Sequence, residues 1–480
     1  MKIYNKIKYA GLALVFFFAS CNDYLTVIPG TQLISETAIV DIDGAYTALY
    51  GVYDGLQASS SYGCQMFTFA DLRGGDMQST AVGDSRTYPI YTFNNRTPDN
   101  GPAGLWATPY AILNRVNNLI TAMEADKVKD GTQAQRNEVL GQAYTLRALL
   151  HFDLVKIHGT PYLKSTTDPG AIIVDRVIGA AEQLQRSTVG ETYEFVVSNL
   201  QKALPLLETS KAKKNGYVNY WATEALLARV YLYMGEWSNA YTAATDVINN
   251  GPYKLITNAN YIASWGLDFT DESIFSVVNT TTDNPSREAL SNVSFPDGYG
   301  EIILSYSILD LLEEDMDDVR LQLINPDKIS KKQGGYRHGY CKKYPGRNGD
   351  IFTNNLPLIR LSELYLIAAE TALKKAPKEQ NKADEYLDAI RRRANPAVAF
   401  VPASDITIRN ERRKELVHEG HRFFDIMRLG EVVVRNSGRD FLNIDQVITI
   451  SWDEHLCVLP VPRHEIDANP NILPTPGYTH

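Results

Sequence analysis

Apolar side chains recur at helical spacing through most of the chain. In each such stretch they follow a period of about 3.6 residues, which places them on one face of an α-helix. The stripes predict a helical frame over residues 41–58, 107–250 and 358–430, and Asp43 is the predicted N-cap of the first helix. The clearest stripes run through Ile112, Val116, Leu119 and Met123, through Val139, Ala143, Leu146 and Leu150, through Tyr193, Val196, Leu200 and Leu204, and through Leu361, Leu364, Ala368 and Ala372.

The spacing between stripes indicates that the helices come in pairs. The segment WATEALLARVYLYMGEWSNAYTAATDVINNGPY, residues 221–253, contains one helical stripe, a turn at Gly235, a second stripe and a stop at Pro252. Residues 358–396 form a similar unit that ends at Pro396. This pattern is typical of tetratricopeptide repeats. An irregular helical bundle is the alternative, because the units are unevenly spaced.

Two long segments, residues 60–106 and 252–357, interrupt the helical frame. They are rich in Gly, Asn, Asp, Thr and aromatic residues and carry few helical stripes. Loops longer than about 15 residues are uncommon in compact domains unless they carry function or structure of their own. We therefore expect these excursions to build an irregular subdomain, with short strands at residues 272–279 and near residues 457–461.

The first 20 residues have the pattern of an export signal. Three lysines precede an apolar run at residues 10–19, and small residues come before Cys21. The run is too short for a membrane-spanning helix, which needs about 20 apolar residues. The sequence FASC, ending at Cys21, resembles the lipobox of bacterial lipoproteins, with Phe18 where Leu is usual. Cleavage before Cys21 and acylation of that residue would anchor the protein; a secreted protein cleaved near Ser20 is the alternative.

Composition narrows the classes of function. The chain has 480 residues and a net charge of −9, which argues against nucleic acid as a partner. Its 28 tyrosines suit half-buried surfaces and binding faces. The four cysteines are Cys21, Cys64, Cys341 and Cys457, and none lies in a CxxC pair, which argues against a zinc or redox motif. If Cys21 is modified, the other three cannot all pair, so we expect no essential disulfide framework.

The sequence lacks the common catalytic motifs. No GxSxG, Walker A or GxGxxG pattern occurs, and HEGH at residues 418–421 places its histidines three apart, whereas the zinc motif HExxH places them four apart. The acidic run EEDMDD, residues 313–318, lies on one segment, while glycoside hydrolysis needs two acids on opposite sides of a sugar. We interpret this run as a solvated face. The expectation is a protein with no catalytic residues, no metal and no cofactor.

The most densely charged stretch is IRNERRKELVHEGHRFFDIMRLG, residues 408–430. Glu411, Glu415 and Glu419 recur every four residues on one helix face, with several arginines among them. Like charges at this spacing repel slightly, so arginine partners are expected. An acid–base cluster is one interpretation. An ion-pair network that clamps the helix to the frame is the favoured one, because two adjacent phenylalanines draw the same segment into a core.

Several segments occur in a specific order. They are CNDYLTVIP from Cys21, then LWATPYAILNRVNNLI, QAYTLRALLHFDLVKIHGTPY, LIRLSELYLIAAE, AIRRRAN, ERRKELVHEGHRFFDIMRLG and, near the C-terminus, LPVPRHEIDANPNILPTPGY. This series resembles the SusD/RagB family of surface nutrient-binding lipoproteins, with Thr475 where Asn is more usual. It spans nearly the whole chain after Cys21.

The resemblance implies both a fold and a role. The fold is mainly α, with about four tetratricopeptide-like helix pairs packed against a loop-rich subdomain with a few short strands. A single domain would cover residues 21–480, with a proline-rich tail at 459–480. The role is that of a lipid-anchored protein on the outer-membrane surface, which binds an oligo- or polysaccharide, or in some members a peptide. It would deliver this ligand to a TonB-dependent (SusC-like) transporter without cleaving it. A surface glycoside hydrolase and a tetratricopeptide scaffold lipoprotein are the alternatives.

Ligand contacts are expected from the loop excursions. The family stacks aromatic rings on sugar faces beside Asn, Asp or Arg side chains, and no fixed motif marks these positions. We therefore predict ligand contact for Tyr88, Tyr91, Asn94, Asn95 and Arg96 in the first excursion, and for Trp265, Tyr299, Tyr336 and Tyr340 in the second. Burial is the alternative for each. Trp106, Trp221, Trp237 and Trp452 are predicted to pack in the core of the fold and not to contact the ligand.

Overall fold

A computed structural model of the chain describes residues 39–80, 86–94, 103–179, 181–325, 339–435 and 448–478. Within these ranges the protein is mainly helical, and eleven helices have eight residues or more. They are α1 (Ile42–Gln57), α2 (Gln65–Gly74), α3 (Gly104–Glu124), α4 (Gln133–His158), α5 (Val189–Leu206), α6 (Tyr220–Met234), α7 (Trp237–Asn250), α8 (Leu361–Lys374), α9 (Gln380–Ala394), α10 (Asp405–Leu416) and α11 (Arg422–Leu429). Shorter helical turns span Tyr88–Tyr91, Tyr261–Ser264, Leu290–Ser294, Tyr306–Leu312 and Arg463–Ala468.

Eight of these helices form four packed pairs, as predicted. The pairs are α1 with α3, α4 with α5, α6 with α7, and α8 with α9. Adjacent pairs also pack together, through α3 and α4, α5 and α6, and α7 and α8. The apolar stripes of the sequence therefore meet in one continuous core.

Side chains and backbone at the helix ends explain where the helices begin and stop. Asp41, and not the predicted Asp43, caps α1, because its Oδ1 accepts a hydrogen bond of 2.7 Å from the Gly44 N–H. Asp43 lies in the first turn, where the helix dipole favours an acid. Helix α6 ends at Gly235, whose φ of 74° gives the predicted turn into α7.

Helix α2 lies within residues 60–106, which the sequence pattern assigned to a loop excursion. Its residues from Met66 to Gly74 are all buried, and a helix buried on every side shows no apolar stripe. The Phe69 ring meets the Phe423 ring of α11 edge to face at 5.6 Å. A Cβ on Gly74 would lie 2.7 Å from the Phe423 nitrogen, so the close approach of α2 and α11 requires glycine. The excursion is therefore anchored in the core.

The described residues also contain eight short strands in four antiparallel sheets of two strands each. The pairs are β1 (Met77–Ser79) with β3 (Ile302–Leu304), β2 (Ser273–Val277) with β6 (Leu356–Arg360), β4 (Ile324–Asn325) with β5 (Tyr340–Cys341), and β7 (Val432–Arg435) with β8 (Ile448–Ser451). Strand β2 confirms the strand predicted at residues 272–279. The second predicted strand is wrong: residues 457–461 follow the 3₁₀ turn His455–Cys457 without strand pairing, and Pro460 has no N–H to donate.

The charged segment at residues 408–430 forms a buried ion-pair network, as the structural interpretation predicted. Arg320, Arg360 and Arg393 place guanidinium nitrogens between 2.5 and 3.2 Å from Glu415. Arg360 also pairs with Glu419 at 2.7 Å. Because these arginines come from three different segments, the network ties α10 to α9, to β6 and to the loop-rich part.

Cysteines and tryptophans of the described residues lie in or against the core. The buried free thiols are Cys64, Cys341 and Cys457. The predicted structural positions are confirmed for the buried Trp106 and Trp221 and for the half-buried Trp237 and Trp452. Across the described ranges, no helix combines the length and the apolar character needed to cross a bilayer.

Candidate functional site

Strand pairing brings the two long excursions together. Beyond the β1–β3 pair, the Thr80 N–H donates to the Glu301 carbonyl at 2.9 Å and the Thr80 hydroxyl donates to the Gly300 carbonyl at 2.8 Å. The Thr87 hydroxyl lies 2.7 Å from the Ser79 hydroxyl, so the Tyr88–Tyr91 turn begins beside the same sheet. Residues 220 positions apart in the chain thus share one surface.

Tyr299 and Arg86 form the centre of this surface. The Arg86 guanidinium carbon lies 4.5 Å from the centroid of the Tyr299 ring, and Tyr299 is still 44% exposed. Arg86 is also ion-paired with Glu288, and its Nε lies 3.3 Å from Glu301 Oε2. Partial burial raises the pKa of Glu301, and the Arg86 charge opposes that shift. We call Arg86, Tyr88, Glu288, Tyr299 and Glu301 the β1–β3 face.

Two predicted ligand residues lie near the two ends of the short turn that begins beside this sheet. Tyr88 is half-buried at the start of its short turn, with Pro89 after it. Asn94 is exposed, and its backbone N–H donates to the Pro89 carbonyl at 2.9 Å. The face therefore offers an exposed aromatic ring next to charged side chains, an arrangement in which a sugar can stack and also hydrogen-bond.

Tyr91 and Tyr340 were predicted as ligand contacts, and both are buried. The Arg435 guanidinium carbon lies 3.8 Å from the centroid of the Tyr91 ring, which is 1% exposed. The Tyr340 hydroxyl donates to the Gly300 carbonyl at 3.5 Å from beneath the loop that presents Tyr299. Neither ring is open to a ligand in this structure. Tyr91 packs against Arg435, and Tyr340 supports the loop that presents Tyr299.

Trp265 lies apart from the β1–β3 face, against the buried ion network. Lys343 Nζ lies 4.8 Å and the Arg360 guanidinium carbon 5.2 Å from its ring. The cavity beside it has a volume of about 30 Å³, which is too small for a sugar ring. The structure thus separates Trp265 from Tyr88 and Tyr299. Four further predicted residues lie outside the described ranges, and their roles stay predictions: Cys21, Asn95, Arg96 and Tyr336.

The acidic run at residues 313–318 is more than a solvated face. Asp318 is buried and pairs with Arg320 at 2.6 Å, and both Asp315 carboxylate oxygens accept hydrogen bonds from Asn395 Nδ2. Glu314 and Asp315 border a polar cleft of about 350 Å³ between this segment, α9 and α10. The residues that line the cleft include no aromatic ring, so the cleft lacks a surface on which a sugar could stack.

Sequence reasoning missed three members of the β1–β3 face, namely Arg86, Glu288 and Glu301. The available signal was an arginine and two acids within the excursions, next to aromatic residues. Nothing in the order of the chain pairs residue 86 with residues 288 and 301. Only the β1–β3 pairing brings them together.

A solved structure resembles the chain over nearly its whole length. It is the crystal structure of a SusD superfamily protein from Bacteroides thetaiotaomicron, which is 35% identical to this chain. The match covers 91% of this chain and 100% of that protein, with a TM-score of 0.86. The chain belongs to the SusD family.

Other comparisons agree with this assignment. The model of the SusD family matches residues 309–478 of this SusD family protein, and a model described as starch-binding associating with outer membrane matches residues 47–232. A SusD-like protein from Bacteroides ovatus is 23% identical over 89% of this chain and 83% of its own length. A laminarin-binding SusD-like protein is 22% identical over 91% of this chain and 100% of its own, with a TM-score of 0.72, and has the same fold. The predicted family and fold class are confirmed.

Proposed function

We propose that this SusD family protein is a cell-surface carbohydrate-binding lipoprotein. It holds an oligo- or polysaccharide at the β1–β3 face and delivers it to a partner TonB-dependent (SusC-like) transporter; a peptide is the alternative ligand. The observation that carries the proposal is the exposed Tyr299 ring held by Arg86. The match to a starch-binding, outer-membrane family model supports it.

The chemistry of the face suits binding of a neutral, hydroxyl-rich ligand. The apolar C–H face of a pyranose packs on the Tyr299 ring and keeps water from that surface. Its hydroxyls can accept hydrogen bonds from Arg86 and Asn94 and donate to Glu288, whose side chain is 50% exposed. Arg86 and Glu288 are preset by their ion pair, so these two side chains lose little entropy on binding.

The same geometry argues for binding without cleavage. Glycoside hydrolysis needs one carboxyl group as proton donor and a second as nucleophile or base, set apart across the scissile bond. In the β1–β3 face both carboxylates, Glu288 and Glu301, are ion-paired with the same guanidinium, that of Arg86. An arginine that is ion-paired with both acids occupies their carboxylate oxygens, which suits a binding surface.

The cell-surface part of the proposal rests on the N-terminal sequence. Residues 1–20 are removed as a signal, Cys21 carries acyl chains, and residues 21–480 form a single domain anchored in the outer membrane. The loop-rich part holds the ligand, and one face of the helical frame meets the transporter. Co-purification of the tagged protein with a TonB-dependent transporter from outer membranes tests the partner.

Calorimetric titration with starch- and laminarin-derived oligosaccharides tests the ligand site. We expect Tyr299→Ala to weaken binding at least tenfold, because stacking of one sugar ring is lost, and Arg86→Ala to weaken it as well. Tyr231→Ala on α6, where the half-buried ring lies far from β1 and β3 in the fold, is the matched control and should bind like the native protein. Both oligosaccharides are used because the laminarin-binding relative shares the fold at only 22% identity.

Different outcomes separate the alternatives. Native binding by Tyr299→Ala would show that the β1–β3 face is not the site, even if the protein binds glycans. Release of reducing sugars from a polysaccharide by the purified protein would support a glycoside hydrolase. Protein partners without any glycan or peptide ligand would support a scaffold.

A further inference from the structure

A second group of tyrosines, two exposed and two half-buried, lies on the helical frame. Tyr46, Tyr50 and Tyr53 follow one another along α1 at i, i+4 and i+7, and Tyr217, just before α6, packs onto them. The ring centroids of Tyr46 and Tyr50 are 6.3 Å apart with planes 30° from parallel, and those of Tyr50 and Tyr217 are 5.7 Å apart. Tyr50 is 50% and Tyr217 39% exposed. We call Tyr46, Tyr50 and Tyr217 the tyrosine platform.

The platform is held in place from below. Tyr53 meets Tyr217 edge to face at 5.1 Å, and its hydroxyl donates to Gln142 Oε1 at 2.5 Å. The same hydroxyl accepts the Val218 N–H at 3.0 Å, which fixes the backbone next to Tyr217. These contacts orient the exposed rings before any ligand arrives.

The turn that presents Tyr217 also depends on one glycine. Gly216 has φ of +78°, and a Cβ at this position would lie 2.3 Å from Val278 Cγ2. Only glycine fits a left-handed conformation in contact with a neighbouring side chain. The exposed tyrosine is therefore presented by a specific backbone shape.

Polar side chains border the platform. The Glu138–Lys214 ion pair lies on one side, where the Glu138 charge acts on Tyr46 and contributes to its raised pKa after burial. One turn beyond Tyr50, Asp54 lies 3.3 Å from Arg115, and both side chains are more than half exposed. Aromatic rings with hydrogen-bonding groups around them fit a sugar chain.

We infer that the tyrosine platform is a second carbohydrate-binding surface, on which successive pyranose rings of one polysaccharide chain stack. This inference rests on the proposed function and adds a site on α1, separate from the β1–β3 face. Two weak sites on one protein strengthen binding to a long polymer through effective concentration, whereas a short oligosaccharide occupies one site at a time. The platform therefore acts on polysaccharide retention more than on oligosaccharide affinity.

The test compares long and short ligands. In affinity electrophoresis through gels containing starch or laminarin, we expect the double variant Tyr50→Ala/Tyr217→Ala to be retained at least fivefold more weakly than the native protein. Its calorimetric affinity for oligosaccharides at the β1–β3 face should change less than twofold. The variant Tyr50→Phe/Tyr217→Phe keeps the rings and should be retained like the native protein, and Tyr231→Ala serves as the surface control.

Each remaining result has a defined meaning. If the folded double alanine variant is retained like the native protein, the inference is overturned. If the native protein binds no glycan at all, the proposed function is overturned, and the inference with it. If the double alanine variant is retained like the native protein but no longer co-purifies with a transporter, the platform is a protein-docking surface. That result would also overturn the inference. If the alanine variant fails to fold, the single variant Tyr50→Ser, at the more exposed ring, must show weaker polysaccharide retention.

Discussion

At the scale of single residues, four buried histidines make the stability of the protein sensitive to acid. Burial lowers the pKa of His151 to about 4, of His158 to about 3, of His418 to about 3 and of His421 to about 4. The hydrogen bonds of His151 explain why its ring takes up no second proton in the folded protein. Its Nε2 accepts the Val174 N–H at 3.0 Å, so its Nδ1 carries the hydrogen donated to the Arg147 carbonyl at 2.8 Å. A second proton would break the bond to Val174.

Acid should therefore destabilise the protein well above the pKa of ordinary carboxylates. Below pH 6.5 the unfolded histidines take up protons that the folded ones refuse, so the free energy of unfolding falls as pH falls. The effect is about 2 kcal/mol per buried histidine at pH 5. Below about pH 4.5 the buried Glu363 and Glu370 add to the loss, since burial would raise their pKa values but Arg229 and Arg428 respectively lower them to about 2.

Urea unfolding at a series of pH values measures this slope. His151→Gln should make the fall of the unfolding free energy between pH 7 and pH 5 less steep, because the variant no longer takes up a proton at this position on unfolding. The other three buried histidines still contribute to the slope. The matched variant His464→Gln, at a side chain that is 55% exposed, should keep the native slope. A native protein whose unfolding free energy is constant from pH 7 to pH 5 would contradict the assignment of these histidines as buried and neutral.

At the scale of elements, one buried carboxylate joins several segments. Burial would raise the pKa of Glu415, but Arg393, Arg360 and Arg320 hold it well below its usual range. Its partners belong to α9, β6 and the 3₁₀ turn Val319–Leu323. Helix α10 is thus attached to its neighbours by charge as well as by apolar packing.

Removing this carboxylate should have a large effect on stability. We expect Glu415→Gln to lower the free energy of unfolding by about 3–5 kcal/mol, because three buried guanidinium groups lose a shared counter-charge. Lys382 and Glu385 form an exposed pair on α9, and Glu385→Gln should change stability by less than about 1 kcal/mol. Chemical denaturation of both variants at pH 7 makes the comparison. Equal effects would mean that the network contributes no more than a surface pair.

Some helices and loop contacts could be predicted from the sequence, and others could not. Amphipathic helices such as α3 and α5 were predictable, because one face is apolar and the spacing is regular. Helix α2 was not, since its residues from Met66 to Gly74 are buried on all sides and leave no periodic signal. The aromatic residues of the loops were correctly singled out as candidates, but burial of Tyr91 and exposure of Tyr299 depend on contacts between distant segments. The pairing of Arg86 with Glu288 has no local signature.

At the scale of the whole molecule, the two proposed sugar-binding surfaces lie on different parts of one fold. The β1–β3 face belongs to the loop excursions, and the tyrosine platform belongs to the first helix pair and the approach to α6. Uptake of a polymer bound to both surfaces requires that the protein stays at the cell surface where the polymer arrives. Under the proposed function, anchoring determines whether the second surface contributes to uptake, and Cys21 is the predicted anchor.

Substitution of Cys21 tests this dependence. Acyl chains contribute about 0.8 kcal/mol for each buried CH₂, so Cys21→Ser should move the protein from the outer-membrane fraction to the soluble fraction. Cys457→Ser is the matched control, because a serine there can still donate to the Ser451 carbonyl, as the thiol does at 3.2 Å, and should leave the protein in the membrane fraction. The purified Cys21→Ser protein should bind oligosaccharides like the native protein, while cells that carry it should take up less polysaccharide. Retention of Cys21→Ser in salt-washed membranes would contradict a lipid anchor at this residue and place the attachment elsewhere in the chain.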